Sequence, residues 1–248
     1  MPSSSPAVGI RTARHEDLPF VVAQHQSFFP DGFFVRLGGS FLSEYYRSFM
    51  TDQASCVLVA EESGRPVGYL VGTPNPGLHR HHVMSQHGRR LCLLGLGALL
   101  RQPSLILMFL RTRGWRYLRA VIRDRRGARV RGVATRTDTT GVLNHVAVLP
   151  EHQGEGVGSL LIQALEDAAR TAGCDRLVLV TRSDGLAPAY CRLTGWSYVG
   201  ERCTPEGYWL TTFSRGLDGP RRLSGERAPD YMHFDTGYPS RRYRPVSG

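Results

Sequence analysis

The chain contains no lysine: all 31 of its basic residues are arginines. The absence of lysine excludes the P-loop nucleotide site, the pyridoxal Schiff base and every other mechanism that needs an ε-amino group. We interpret the replacement of lysine by arginine as a bias of base composition rather than a set of functional choices. The formal net charge of +10 still predicts a positive field that favours anionic partners.

Long apolar runs are also lacking. The most apolar window, residues 91–110, is interrupted by Arg101, Gln102 and Pro103, so it falls short of a membrane span. The first ten residues have no apolar core of the kind that a signal peptide needs. We therefore expect a cytoplasmic protein without a membrane-spanning segment.

Metal-ligand and redox patterns are sparse. No two of the five cysteines have the spacing of a zinc or redox pair, which predicts free thiols in a reducing compartment. A group of histidines matches no standard zinc pattern, and no cysteine or carboxylate accompanies it. We expect these histidines to lie on a solvated loop without a metal; they are His79, His81, His82 and His87.

Composition divides the chain into a domain with an insertion and a tail. The 41% of hydrophobic residues can form one sizeable core, and we expect a single domain over residues 1–214. Within it, residues 73–140 contain 14 arginines and two acidic residues, and they are predicted to form a helical insertion. Glycine, proline, arginine and serine dominate residues 215–248, which predicts an extended or disordered tail.

Hydrophobic patterning predicts strands and helices on both sides of the insertion. Before it we expect a strand at 8–11, helices at 15–26 and around 41–49, and a hairpin of strands at 56–60 and 67–71. After it we expect strands at 142–149, 177–180, 196–199 and 208–213, with helices at 159–171 and 187–193.

The most informative unit is the turn between the strand at 142–149 and the helix at 159–171. It reads Gln153-Gly154-Glu155-Gly156-Val157-Gly158. Three glycines at alternate positions let the backbone approach a ligand and point successive N–H groups into one concavity. The helix that follows adds its positive end, so the turn predicts a pyrophosphate site.

Two common nucleotide motifs do not fit this turn. A dinucleotide-binding Rossmann turn needs a third glycine where this chain has Ser159, and an acidic residue where the next strand ends in Thr181. A P-loop needs a lysine, which the chain does not have. The pyrophosphate site therefore belongs to another class.

Residues 142–200 resemble the GNAT superfamily of acetyl-CoA-dependent N-acyltransferases. Gln153, Gly156 and Gly158 supply the family pattern Gln/Arg-x-x-Gly-x-Gly/Ala. The run Val-Ala-Val-Leu-Pro-Glu at 146–151 is similar to the family's fourth strand, and 187–196 is similar to its A-x-x-Y-x-x-x-G-F segment. The resemblance extends more weakly over residues 8–72 and is absent over 73–140 and the tail.

The resemblance implies an α/β (α+β) fold: a mixed, mostly antiparallel sheet flanked by helices, with a V-shaped opening between its two central strands. The insertion then falls between the third and fourth strands. The expected cosubstrate is acetyl-CoA, and no metal is implied. Backbone groups of Val146, Ala147 and Val148 would pair with the pantetheine arm. The pyrophosphate would be held by amides of Gln153, Gly154, Glu155, Gly156, Val157, Gly158 and Ser159.

The same resemblance places a general acid at Tyr190. A phenol with a pKa of about 10 can protonate a thiolate whose conjugate acid has a pKa of about 8.5 when the two are adjacent and desolvated. The alternative is that Tyr190 only packs beside the thioester.

The base that removes a proton from the acceptor amine has two candidates. Many relatives use a glutamate on the fourth strand, where this chain has Val142. His145 can act directly, or Asn144 can hold a water molecule. Side chains alternate along a strand, so we expect only one of these two neighbours to face the cleft, with Asn144 on the side of Val142 and Val146. The alternative for His145 is a packed core position.

The resulting prediction is acetyl transfer to an amine on a small molecule. The insertion is expected to bind the acceptor, and its arginines can hold phosphate or carboxylate groups. An acidic carrier protein or a protein amino terminus is the second acceptor class. A coenzyme-binding module without catalysis, or a protein that binds nucleic acid or another anionic polymer, is the remaining alternative.

Overall fold

The computed structural model describes residues 8–30, 32–102, 105–106, 140–185, 191, 195–204 and 207–217. The strands are β1 (Gly9–Thr12), β2 (Cys56–Glu62), β3 (Arg65–Thr73), β4 (Thr140–Val148), β5 (Arg176–Arg182), β6 (Ser197–Cys203) and β7 (Trp209–Gly216). The helices are α1 (Leu18–Phe28), α2 (Phe33–Arg36), α3 (Gly39–Met50), α4 (Pro76–His82), α5 (Gly88–Arg101) and α6 (Val157–Thr171).

The seven strands form one sheet in the order β1-β2-β3-β4-β5-β7-β6. Every neighbouring pair is antiparallel except β4 and β5, which are parallel. The predicted hairpin of β2 and β3 closes through Ser63 and Gly64, both at positive φ, as a two-residue turn between strands requires. The prediction of a mixed, mostly antiparallel sheet flanked by helices is confirmed.

Helices cover both faces of the sheet and bury two clusters. On one face, α6 places Leu161 and Leu165 against the sheet. Gly72 of β3 has no side chain where the Leu165 methyl groups sit, which permits this close approach. On the other face, α1 and α3 pack Val21 and Tyr46 against β2, β3 and β4. The sheet therefore separates an α6 side from an α1/α3 side.

The parallel strands β4 and β5 pair over only part of their length. Their register runs from Thr140 opposite Arg176 to Leu143 opposite Leu179. Beyond these pairs the carboxyl-terminal halves of both strands continue without further pairing to one another. This divergence is the V-shaped opening that the resemblance predicts, and it lies between the two central strands.

The described part of the insertion is helical and packs on α3. The helices α4 and α5 are joined by one π-helical turn, Val83–His87, and α5 places Leu91 and Leu94 against Phe41 of α3. Residues 107–139 and the tail from 218 lie outside the described residues. The strand β7 reaches Gly216, so the first two residues of the predicted tail belong to the sheet. No helix in the described ranges is long and apolar enough to cross a membrane.

The prediction of a solvated histidine loop is wrong for two of the four histidines, His79 and His87, whereas His81 is exposed. His79 and His87 lie in helical turns and are buried, at 7% and 8% exposure. His79 Nδ1 lies 2.7 Å from Asp52 Oδ2, and His87 Nδ1 lies 2.8 Å from Glu44 Oε1. Carboxylates therefore do accompany these histidines, and they attach the insertion to α3 and the turn after it. The described residues contain no group of three or more potential ligands that could hold a metal.

Candidate active site

The glycine turn links the end of β4 to the start of α6. Gly154 and Gly156 both have φ of 85°, in the left-handed region that residues with a Cβ adopt only under strain. Gly156 is the N-cap of α6, and Val157 is its first residue. The N–H groups in the first turn of a helix have no carbonyl partner within the helix, and they carry its positive dipole end. The turn therefore has the geometry of an anion-binding loop.

Two side chains of the turn are held locally. Gln153 Nε2 donates to the carbonyl oxygen of Val148 at 2.9 Å, which fastens the turn to the end of β4. The Glu155 carboxylate lies 3.1 Å from His152 Nδ1, and Glu62 lies 3.8 Å from the same nitrogen. Because Glu155 is paired with a neighbouring imidazole, its side chain is engaged with the protein and not with the space above the α6 amino terminus.

The peptide groups of β4 alternate between β3 and the gap. Leu149 N donates to Val67 O, so in the antiparallel ladder Ala147 directs its peptide groups to β3. Val146 and Val148 then direct theirs toward β5, from which β4 has diverged. Of the three residues predicted to contact a pantetheine arm, two present backbone groups to the gap. Ala147 is buried on the α1/α3 side.

A β-bulge at Asn144 marks the point where β4 leaves β5. In the β3–β4 ladder Gly72 lies opposite Leu143 and Val71 lies opposite His145. Asn144 is therefore the extra residue of the bulge and lies opposite no residue of β3. Asn144 Oδ1 accepts a hydrogen bond from Thr73 Oγ1 at 2.7 Å.

The bulge overturns the expectation of strict alternation between the two base candidates. Thr73 lies two residues after Val71 in β3, so both side chains are on the same face of the sheet, the α1/α3 side. Asn144 is hydrogen-bonded to Thr73 and therefore faces that side too. His145 packs among the side chains of α1 and α3 on the same side. Both candidates therefore lie at the inner end of the gap and face one way.

His145 is surrounded by aromatic rings. Its Nε2 lies 3.3 Å from the Tyr45 hydroxyl, and the His25 ring meets it edge-on with centroids 4.9 Å apart. Phe29 lies 5.8 Å away by the same measure. Burial of the imidazole, with a smaller repulsion from His25, lowers the pKa of His145 from 6.5 to about 3. The ring is therefore neutral at neutral pH.

A row of hydrogen-bonded side chains, His25, Tyr46 and Tyr69, packs next to His145 on the α1/α3 side. The Tyr46 hydroxyl lies 2.6 Å from His25 Nδ1 and 3.3 Å from the Tyr69 hydroxyl. Burial lowers the pKa of His25 to about 4 and raises that of Tyr46 well above 10. These groups, uncharged at neutral pH, form a rigid wall on the α1/α3 side of the gap. None of His25, Tyr46 and Tyr69 was among the site residues predicted from the sequence.

Tyr190, the predicted general acid, lies outside the described residues, as do 186–189 and 192–194. Its neighbour Cys191 is fully buried in the core on the α6 side. Cys191 therefore lies on the face of the sheet opposite to His145.

Comparison with known proteins agrees with this architecture. The model of the acetyltransferase (GNAT) family matches residues 112–192, a range that includes β4, the glycine turn, α6 and β5. The match begins at residue 112, inside the segment where the sequence itself showed no resemblance. No curated protein sequence matches the chain significantly.

Several solved structures share the fold. The protein yncA from Salmonella typhimurium, whose structure holds acetyl-CoA, is 18% identical with a TM-score of 0.51, over 88% of this chain and 98% of that one. An N-acetyltransferase from Staphylococcus aureus Mu50 is 16% identical with a TM-score of 0.52, over 86% and 99%. The ribosomal-protein-alanine N-acetyltransferase of Brucella melitensis is 17% identical with a TM-score of 0.50, over 84% and 99%.

The order of the sheet, the divergence of β4 from β5 and the glycine turn at the start of α6 agree with the family match over residues 112–192. Residues 112–192 of this chain are therefore similar to the acetyltransferase (GNAT) family, and the described residues have the fold of solved acetyltransferase structures.

Proposed function

We propose that the chain transfers an acetyl group from acetyl-CoA to an amine of a small molecule. The observation that carries the proposal is that β4 both diverges from β5 and ends in the glycine turn. One strand therefore presents backbone groups to a gap and leads directly into an anion-binding loop. A coenzyme with an extended arm and a pyrophosphate needs both features in this order.

The coenzyme would be held mainly by backbone groups. The amides from Gly154 to Ser159 would bind the pyrophosphate, with charge-assisted hydrogen bonds of about 1.5–3 kcal/mol each. The predicted amide of Gln153 is instead used within the turn, where it donates to the Pro150 carbonyl oxygen at 3.3 Å. The peptide groups of Val146 and the N–H of Val148, whose carbonyl oxygen already accepts from Gln153, would pair with the pantetheine arm in place of the missing β5 partner. When bound, acetyl-CoA supplies the activated acetyl group.

The acceptor would approach from the α1/α3 side, where Asn144 and His145 lie together. A neutral imidazole can accept a hydrogen bond from an amine, but a conjugate acid with a pKa of about 3 holds a proton poorly. We therefore assign orientation of the acceptor to His145. Removal of the proton is assigned to water held by Asn144, whose orientation is fixed by Thr73. Tyr190 is the proposed acid for the departing thiolate.

The insertion supports a small acceptor over a protein. Its helix α5 packs outside α3 against the cluster that contains Phe41, and Tyr45 of α3 packs against the same cluster while its hydroxyl lies 3.3 Å from His145 Nε2. We infer that this extra pair of helices narrows the approach to the gap on the α1/α3 side. A flexible peptide would need a more open groove than a small amine does.

Calorimetric titration with acetyl-CoA tests the coenzyme site. We expect binding by the wild type that Gly156→Glu abolishes, because a carboxylate would stand at the amino terminus of α6. Gly173→Glu is the matched control: Gly173 has φ of 80°, a substituted Cβ meets nothing within 4 Å, and it lies past the far end of the same helix. Equal loss in both variants, or no binding by the folded wild type, would refute the assignment.

Tyr190→Phe tests catalysis separately from binding. Removal of the hydroxyl should lower kcat while the affinity for acetyl-CoA is unchanged. Unchanged turnover would exclude Tyr190 as the acid without affecting the coenzyme site.

A further inference from the structure

One side of α5 is both apolar and exposed, and we call it the outer face of α5. It consists of Leu93, Leu96 and Leu100, which are exposed at 71%, 55% and 70%. These leucines follow one another at intervals of three and four residues, so they lie on one side of the helix. The opposite side packs in the cluster with Phe41 of α3. A helix that is apolar on both sides is normally buried on both, so the outer face is a candidate contact surface.

The charged side chains beside the outer face are arginines. Arg89 lies four residues before Leu93 and is exposed on the same side of the helix. Arg101 is also exposed and bends back along the helix, with its Nη1 4.0 Å from the position that a Cβ on Gly97 would take. Among the described residues neither guanidinium forms an ion pair, whereas Arg90 is paired with Glu44.

The sequence supplies no negative charge close to this face. It contains no acidic residue between Glu62 and Asp124, so α4 and α5 carry none. The outer face therefore complements a partner surface that is apolar and negatively charged.

A second copy of this chain is a poor match for the outer face. In an antiparallel contact, Arg89 of each copy would lie near Arg101 of the other, and in a parallel contact each arginine would lie near its own equivalent. Since α5 contains no carboxylate, these like charges would meet without compensation.

An anionic lipid surface matches both properties of the outer face. Apolar side chains of a helix that lies in the plane of a bilayer enter the boundary of the acyl chains. Arginines beside them can extend along apolar surface and keep their guanidinium groups at the phosphate headgroups. The 14 residues of α5 are too few to span a bilayer, so the contact would be peripheral.

We propose that the outer face of α5 binds the surface of an anionic lipid bilayer. Leu93, Leu96 and Leu100 enter the acyl boundary, and Arg89 and Arg101 contact the headgroups. This inference does not depend on the proposed acetyl transfer, because vesicle binding can be measured in the absence of acetyl-CoA and of any acceptor.

Cosedimentation of the full chain with sucrose-loaded vesicles tests the proposal. One set of vesicles contains phosphatidylglycerol and phosphatidylcholine in equal parts, and the other contains phosphatidylcholine alone. We expect the wild type to bind the anionic vesicles about tenfold or more tightly, because each arginine at an anionic surface contributes about fivefold. Added salt should weaken this binding, since it screens the charges.

Two pairs of variants separate the outer face from the rest of the surface. Leu93→Ser should weaken binding to anionic vesicles about fivefold, whereas Leu160→Ser, at a leucine of α6 that is exposed at 42%, should leave it unchanged. Arg89→Gln should also weaken it about fivefold, whereas Arg65→Gln, at an exposed position of the β2–β3 hairpin, should not.

The proposal would be overturned if the wild type did not bind anionic vesicles, or if Leu93→Ser and Arg89→Gln both bound them as the wild type does. Two other results would assign the face to a different occupant and overturn the proposal as well. A wild-type dimer in sedimentation equilibrium that Leu93→Ser dissociates, without vesicle binding, would indicate a second copy. A loss of unfolding free energy in Leu93→Ser that Leu160→Ser does not show would indicate that the chain itself covers Leu93.

Discussion

Stability should fall between neutral pH and about pH 5, because His25 is buried without a charge. The pKa of a histidine in the unfolded chain is near 6.5, whereas burial lowers that of His25 to about 4. Between these values the unfolded state binds more protons than the folded state, so the stability present above pH 6.5 is lost progressively down to about pH 4. At pH 5 this loss is about 2 kcal/mol for His25 alone.

Two further histidines act in the same direction. Burial lowers the pKa of His145 to about 3, which adds up to about 2 kcal/mol at pH 5. Burial also lowers the pKa of His79, despite the opposing effect of Asp52. The carboxyl groups of Asp17 and Asp52 have lowered pKa values, so their contributions are lost only below about pH 4. The window between about pH 6.5 and pH 4 therefore reports on histidines.

Urea unfolding at about pH 7.5 and about pH 5 measures the effect. His25→Asn keeps a hydrogen-bonding group near the position of Nδ1 for the Tyr46 hydroxyl but cannot be protonated, so it should reduce the pH-dependent loss by about 2 kcal/mol. His81→Asn, on an exposed turn of α4, is the control and should keep the wild-type loss. If His25→Asn retained the full pH dependence, the buried neutral state of His25 would be refuted.

Three substitutions test the local arguments in other parts of the domain. Gly158→Ala should raise the free energy of unfolding by about 0.5–1 kcal/mol, measured by thermal melting, because alanine is the better helix former. It should also lower the affinity for acetyl-CoA, measured by calorimetry, and an unchanged affinity would contradict the anion-loop assignment. Arg11→Met should cost about 3–5 kcal/mol in urea unfolding because it leaves the buried Asp17 carboxylate without its cation, and a cost below 1 kcal/mol would show that the pair is unimportant. Thr73→Val should lower kcat more than it weakens acetyl-CoA binding, since it releases the Asn144 amide; an unchanged kcat would remove Asn144 from the mechanism.

Local sequence was sufficient for the glycine turn. Gly154 and Gly156 occupy left-handed positions, and the chain marks such positions by placing glycine there. The following helix was predicted because Leu161 and Leu165 recur on one face, and Gly173 ends it with φ of 80°. Both the turn and the helix are determined by residues close together in the sequence, so both can be predicted from residues 153–173 alone.

The identity of the residues around the gap could not be predicted in the same way. The bulge at Asn144 arises from the register between β3 and β4, whose paired residues are about 70 positions apart. Nothing in residues 142–148 indicates that strict alternation fails there. Likewise, the wall behind His145 combines α1, α3 and β3, so His25 and Tyr69 acquire their roles only through packing.

The histidines of the insertion are a second case in which the local sequence could not show the tertiary contacts. The spacing of these histidines matches no zinc pattern, but it could not show that Asp52 and Glu44 lie against His79 and His87. These partners lie 27 and 43 residues away in the sequence. A histidine-rich run with no adjacent acid resembles a solvated loop until tertiary contacts supply the carboxylates.

The sequence by itself determined the glycine turn, the helix after it and the hydrophobic strands, because each is set by the backbone preferences and periodicity of consecutive residues. Tertiary structure alone decided where β4 leaves β5, which way Asn144 and His145 face, and which side of α5 is exposed. These features depend on strand register and side-chain packing between segments that are far apart in the sequence. Their free energies are sums over contacts throughout the domain, so no single stretch of sequence predicts them.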